Sequence, residues 1–268
     1  FWVFSDCTFL DNSTKKLTVC TETEKFTLYL IETLLPCFEI NTQPSESPTC
    51  VSYSPRCNNL FVCLSIRERK QINAGDRKYP RSEFEKTLIN IYDEFGCLID
   101  TVSTTHKDDI TILAFSRDGA EFCTISRDKT AFIWKMTLKG ISVIGTFSSN
   151  KSDILSVDFS RDGRNCLFGL ETEFVIWDLE KERIVNKAAV NNIIIKVFYS
   201  EDNSKIICVL KNGDILICDT LSFEVTDKLY CSLDIHINGC NFTNIICDHS
   251  TKKIIHQYGG FDSTAAVN

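Results

Sequence analysis

The sequence predicts an all-β chain assembled from repeated four-stranded sheets, and two observations carry that prediction. A phrase recurs, Asp109-Ile-Thr-Ile-Leu-Ala-Phe-Ser-Arg-Asp-Gly119 and then Asp153-Ile-Leu-Ser-Val-Asp-Phe-Ser-Arg-Asp-Gly163. Each copy continues through a short apolar strand to a tryptophan, with the Ser-Arg-Asp-Gly turns 44 residues apart and Trp134 and Trp177 separated by 43. A fixed period of that length marks units that each form one sheet and bury their apolar faces by stacking on the next.

The third copy shows the strands most clearly. Ile110, Ile112 and Ala114 alternate with Thr111, Leu113 and Phe115, the period of two that a strand requires. Ser116-Arg-Asp-Gly119 supplies a tight turn, with Asp and Gly suited to its backbone angles. A second strand follows around 122–125, a third at 130–135 and a fourth, outer one at 140–147. The first copy places strands at Trp2–Phe9, 17–20 and 26–31, and the second at 49–55, 60–66 and 88–93. The fifth places them at 193–199, 205–210 and 214–219, and a blurred sixth runs from Leu233 to Gln257. Third-strand anchors fall at Tyr29, Tyr92, Trp134, Trp177, Cys218 and His256, with spacings of 63, 42, 43, 41 and 38. The excess in the first gap is an inserted loop at about 67–87, and the whole of 1–268 reads as one domain.

Composition narrows the function. No apolar run reaches the roughly 18 residues of a membrane helix. The net charge of −7 argues against general wrapping of nucleic acid, which needs surplus Lys and Arg, but is compatible with protein partners or a local basic patch. Many of the 14 cysteines stand inside strands, as Cys63, Cys123, Cys166 and Cys208 do, where a small apolar side chain fills a tight core slot. No Cys-x-x-Cys pair occurs, so the thiols are expected to be reduced and the protein cytoplasmic. The only Met is Met136, so further residues are expected before Phe1.

The residues then resemble a family. Thr105-His106, Phe115-Ser-Arg-Asp-Gly119, Thr124, Asp128-Lys-Thr130 and Trp134 are similar to the WD-repeat β-propeller pattern, and Trp177-Asp178 is a literal Trp-Asp pair. The resemblance implies a ring of six recognisable four-stranded blades, or seven if one is missing or degenerate. It also implies a buried hydrogen-bonded tetrad of His106, Thr124, Asp128 and Trp134 in the third blade. The fourth copy has Asn150 at the histidine position, and the fifth and sixth lack both His and Trp. Such proteins are mostly docking platforms, so the resemblance implies a non-catalytic scaffold for other protein subunits.

Within that class, Trp2 to Ile31, Ser52-Tyr-Ser-Pro55 and Ile89-Asn-Ile-Tyr92 resemble the second and third blades of the small propeller subunit of eukaryotic translation initiation factor three. The Gly-rich run carried late in that family is absent after Ile193. The alternative is a phosphoinositide-binding propeller acting on a membrane, but its paired arginines flanked by Phe and Gly do not occur near the fifth repeat.

The insertion is the sharpest candidate for partner binding. Arg67, Arg69, Lys70, Arg77, Lys78, Arg81 and Lys86 against Glu68, Asp76, Glu83 and Glu85 give seven minus four, net +3. A basic arm of this kind suits an acidic protein, RNA phosphates or anionic lipid. His236, Cys240, Cys247 and His249 include the ligand types of zinc but match no zinc spacing, so no metal is expected. No Walker loop, Gly-x-Gly-x-x-Gly or nucleophile pattern accompanies His106, so neither cofactor nor catalysis is expected.

Overall fold

The computed structural model describes residues 7–9, 16–21, 25–30, 36–41, 43, 45–74, 77–150 and 152–229, with side chains described at 40, 43, 45–68, 83–150 and 152–229. The sixth copy, its His256 anchor and the His236, Cys240, Cys247 and His249 group lie outside them. So does most of the Trp2–Phe9 strand.

Five four-stranded antiparallel sheets follow one another along the described chain. The first comprises Cys7–Phe9 (β1), Lys16–Thr21 (β2), Lys25–Leu30 (β3) and Pro36–Asn41 (β4). The second comprises Glu46–Tyr53 (β5), Leu60–Ala74 (β6), Arg77–Tyr92 (β7) and Leu98–Ser103 (β8). The third comprises Ile110–Phe115 (β9), Glu121–Ser126 (β10), Thr130–Thr137 (β11) and Gly140–Ser148 (β12). The fourth comprises Ile154–Phe159 (β13), Asn165–Leu170 (β14), Glu173–Asp178 (β15) and Arg183–Ala189 (β16). The fifth comprises Ile194–Tyr199 (β17), Lys205–Leu210 (β18), Ile215–Asp219 (β19) and Val225–Leu229 (β20).

Each sheet is a meander whose strands pair in sequence order, and the first strands β5, β9, β13 and β17 pack side by side. The core therefore lies between sheets. Ile40 and Leu60 belong to the cluster joining the first two, Phe61 and Phe122 join the second to the third, Ile125 and Phe168 the third to the fourth, and Leu167 and Ile194 the fourth to the fifth. This is the stacking that a repeat needs to hide both faces of every sheet. Gly169 shows how close the approach is: a Cβ there would stand 3.1 Å from Ile194 and Val197 methyls of the next sheet.

The anchors occupy one structural position in all five sheets. Leu17, Leu60, Phe122, Cys166 and Ile206 stand opposite Tyr29, Tyr92, Trp134, Trp177 and Cys218. Immediately before each anchor the pairing with the outer strand slips by a residue. A recurring bulge bends the strand and raises its twist, so the geometry repeats even where the residue has changed from Trp to Cys.

Cys63, Cys123, Cys166 and Cys208 fill core slots as expected, all at 0% exposure, though at different positions of their strands. Counted from the residue opposite the anchor they stand three, one, zero and two places along the second strand, on alternating faces. One expectation needs correction: the inserted segment is strand, not loop, where it is described. β6 and β7 continue past the body of the second sheet as a paired ribbon, from Arg67 opposite Phe84 to Ala74 opposite Arg77, after a register shift at Ile66 and Arg67. Its charged run hides the strands because Arg67-Glu-Arg-Lys-Gln71 has no apolar alternation. Backbone pairing forms the ribbon instead.

Candidate functional site

The third sheet brings His106, Thr124, Asp128 and Trp134 together and adds Thr130. Trp134 Nε1 donates to Thr124 Oγ1 at 2.9 Å, and Thr124 Oγ1 lies 2.9 Å from His106 Nε2. On the other side of the ring, His106 Nδ1 stands 2.8 Å from Thr130 Oγ1, which donates to Asp128 Oδ1 at 2.5 Å. Since the Thr130 hydroxyl proton goes to the carboxylate, Nδ1 carries the imidazole proton, and Nε2 accepts from Thr124. This assignment follows from the network and leaves every donor with an acceptor.

His106 is therefore neutral, and burial lowers its pKa from 6.5 to about 4 against the pull of Asp128. Its 3.5 Å approach to Asp128 Oδ2 is accordingly not an ion pair. Burial alone would raise the Asp128 carboxyl, but hydrogen bonds from the Lys107 and Thr130 amides and the Thr130 hydroxyl outweigh it and hold it low. Phe132 stacks on the His106 ring at 4.1 Å and closes the network from water. The arrangement locks the β10–β11 turn to the segment entering β9. It is a structural clamp with no reachable base.

The fourth sheet shows what happens without it. Register places Phe168 where the third sheet has Thr124. Phe147 then stacks on Phe168 at 4.5 Å and meets Trp177 edge-on at 5.5 Å. The Trp177 Nε1 is buried without a hydrogen-bond partner. An aromatic stack replaces the polar network.

Recurring turns fix one end of the sheets. At the first-to-second strand turn, Ser116 Oγ donates to Asp118 Oδ1 at 2.8 Å and accepts from Glu121 N, while Gly119 takes φ +65°. Ser160 with Asp162 and Ser200 with Asp202 repeat it, with Gly163 and Asn203 in the left-handed position. The third-to-fourth strand turn explains the Trp-Asp pair. Asp178 accepts from the Glu180 and Lys181 amides, Asp93 from Phe95 and Cys97, and Asp219 from Leu221 and Ser222. The aspartate after the anchor is a turn cap. These amides hold Asp178 low and, with Lys205, bring Asp219 to about 2.

Those turns build a feature the sequence reading missed. Phe95, Leu138 and Leu221 stand at the turn tips of the second, third and fifth sheets, with exposures of 75%, 109% and 91%. Leu98, Ile99, Val143, Ile184, Val185 and Val225 are further exposed apolar residues on the outer strands. Between the fourth and fifth sheets Val185, Leu221 and Phe223 border a groove of about 240 Å3, and Thr220 Oγ1 is buried there without a partner. The available signal was a large apolar residue inside a turn, in Asp93-Glu-Phe95 and Asp219-Thr-Leu221.

The basic ribbon leaves from the opposite end. Arg67, named from sequence as a partner-binding residue, is committed internally: its Nη2 donates to both Asp109 oxygens at 2.7 Å, with Arg127 3.8 Å from the same carboxylate. It ties the ribbon to the entrance of β9. Arg69, Lys70, Arg77, Lys78 and Arg81 lie beyond that anchor, in the paired strands.

The model of the WD domain, G-beta repeat family matches residues 97–135. That span covers β8 to the Trp134 anchor and contains the whole clamp. No curated protein matches the chain. The repeat match and the succession of four-stranded antiparallel sheets fit a WD-repeat family and are consistent with a propeller of four-stranded blades. WD repeats generally mediate protein–protein interaction and are typically non-catalytic. Among the described residues no helix is long and apolar enough to cross a membrane.

Proposed function

We propose that this chain is a non-catalytic scaffold subunit of a multiprotein complex, and that partners dock on the apolar rim at the capped-turn end. The observation that carries the reading is the repetition of that rim. Single exposed apolar residues are ordinary, but here equivalent turn tips in three sheets present Phe95, Leu138 and Leu221, each followed in sequence by an exposed apolar residue of the outer strand. Contiguous exposed apolar surface marks interaction sites. A stable contact needs about 800 Å² per partner, which several neighbouring blades supply together. The finer reading places the complex in translation initiation, on the resemblance of the first two repeats. A cytoplasmic, reducing setting suits the free thiols, with burial pushing Cys208 up to about 12. The phosphoinositide alternative lacks its paired arginines and is not carried further.

The test is a comparison of captured complexes. Tagged chain is purified with its bound subunits, identified by mass spectrometry, as wild type and as Phe95→Asp/Leu138→Asp/Leu221→Asp. A discrete set of subunits, lost from the triple variant while its fold is kept, is the expected result. Initiation-factor subunits in that set would bear out the finer reading. An unchanged set in the triple variant, or turnover of a small molecule by the purified chain, would overturn the proposal.

A further inference from the structure

Charge in this molecule is segregated. Between residues 69 and 82 the sequence holds Arg69, Lys70, Arg77, Lys78 and Arg81 against Asp76, net +4 (5 − 1), so the rest of the chain carries −11 (−7 − 4). Residues 69–74 and 77–82 of that segment form the distal part of the β6–β7 ribbon. Cross-strand partners share a ribbon face with residues two places along each strand. On one face Ile72 opposite Tyr79 therefore lies between Lys70 opposite Arg81 and Ala74 opposite Arg77.

We propose that this ribbon binds single-stranded nucleic acid, its basic positions serving the phosphates and Tyr79, which shares their register, serving the bases. Single strands are held by a positive track with aromatic stacking platforms. Phosphate contacts come from Arg, Lys, Ser, Asn, Gln and Tyr, and most residues from Arg69 to Ser82 are of these types. The cores of protein interfaces are instead depleted in charge, and a broad anionic membrane would bring its charge against the acidic body. The root is fixed by the Arg67 ion pair with Asp109 and by Arg67 N donating to Ser45 O at 2.9 Å. A ribbon held in register loses less freedom on binding than a coil would. Lys107 and Arg127 are exposed near that root and extend the positive surface.

The experiment is fluorescence anisotropy with the full chain and labelled oligouridylate and oligothymidylate of roughly 12 nucleotides, a length within the range of common single-strand sites. The proposal expects binding whose log affinity falls with log salt at a slope of about −2, for roughly three neutralised phosphates. Arg77→Glu/Lys78→Glu should weaken it at least about tenfold and Tyr79→Ala at least about fivefold. Lys181→Glu/Arg183→Glu at the opposite end should leave it unchanged, and all variants should unfold at the wild-type temperature. Preference between the two oligonucleotides assigns RNA or DNA. No single-strand binding at low salt, equal loss from the opposite-end variant, or insensitivity to both ribbon variants would overturn the proposal. So would tighter binding of a duplex, of polyglutamate or of phosphatidylserine vesicles.

Discussion

Thr124 is the residue on which the clamp turns, because one hydroxyl serves both Trp134 and His106. Thr124→Val keeps the shape and leaves both groups buried without partners, a loss of about 2–4 kcal/mol. Denaturant unfolding should show it as a lower midpoint with an unchanged slope. The histidine adds a pH dependence. With a folded pKa of about 4 against 6.5 when unfolded, the unfolded chain binds the proton first. Stability from neutral His106 is thus full above pH 6.5 and is lost as pH falls toward 4, on the order of 3 kcal/mol at most. Asp128 titrates below that window because it is held low. His106→Phe should flatten the slope of unfolding free energy between pH 6.5 and 4.5.

Turns and strands carry the contacts between blades. Gly119 and Gly163 have the same left-handed φ, yet a Cβ at Gly119 would meet Arg56 Cβ at 2.7 Å and Arg56 N at 2.8 Å, whereas at Gly163 the nearest atom is 3.6 Å away. Gly163→Ala should cost about 1 kcal/mol from backbone strain alone. Gly119→Ala should cost clearly more, and equal losses in thermal unfolding would refute the inter-blade packing described here. The ribbon has its own test: Arg67→Ala should speed amide exchange across residues 67–86 and leave β13–β18 unchanged. These elements also mark the limit of what sequence revealed. The third-copy strands were legible because apolar alternation, Ser-Arg-Asp-Gly turns and tryptophan all agree there. The ribbon was not, since its strands rest on backbone pairing between charged residues. Thr130 escaped because its role depends on which donors surround the imidazole.

At the scale of the molecule, neighbouring sheets share their cores and leave two dissimilar ends, an apolar rim and a basic ribbon. Stability should follow that plan, because local opening is easiest where buried apolar contacts are few. First and second strands such as β10, β13 and β14 are largely buried, while outer strands β8 and β16 are mostly exposed. Amide hydrogen exchange resolved along the chain by mass spectrometry tests this most directly. Protection should rise and fall with the repeat, strongest in β9–β10, β13–β14 and β17–β18 and weakest in β8, β16 and β20. Uniform protection, or slow exchange in the outer strands with fast exchange in the inner ones, would contradict a propeller built from stacked blades.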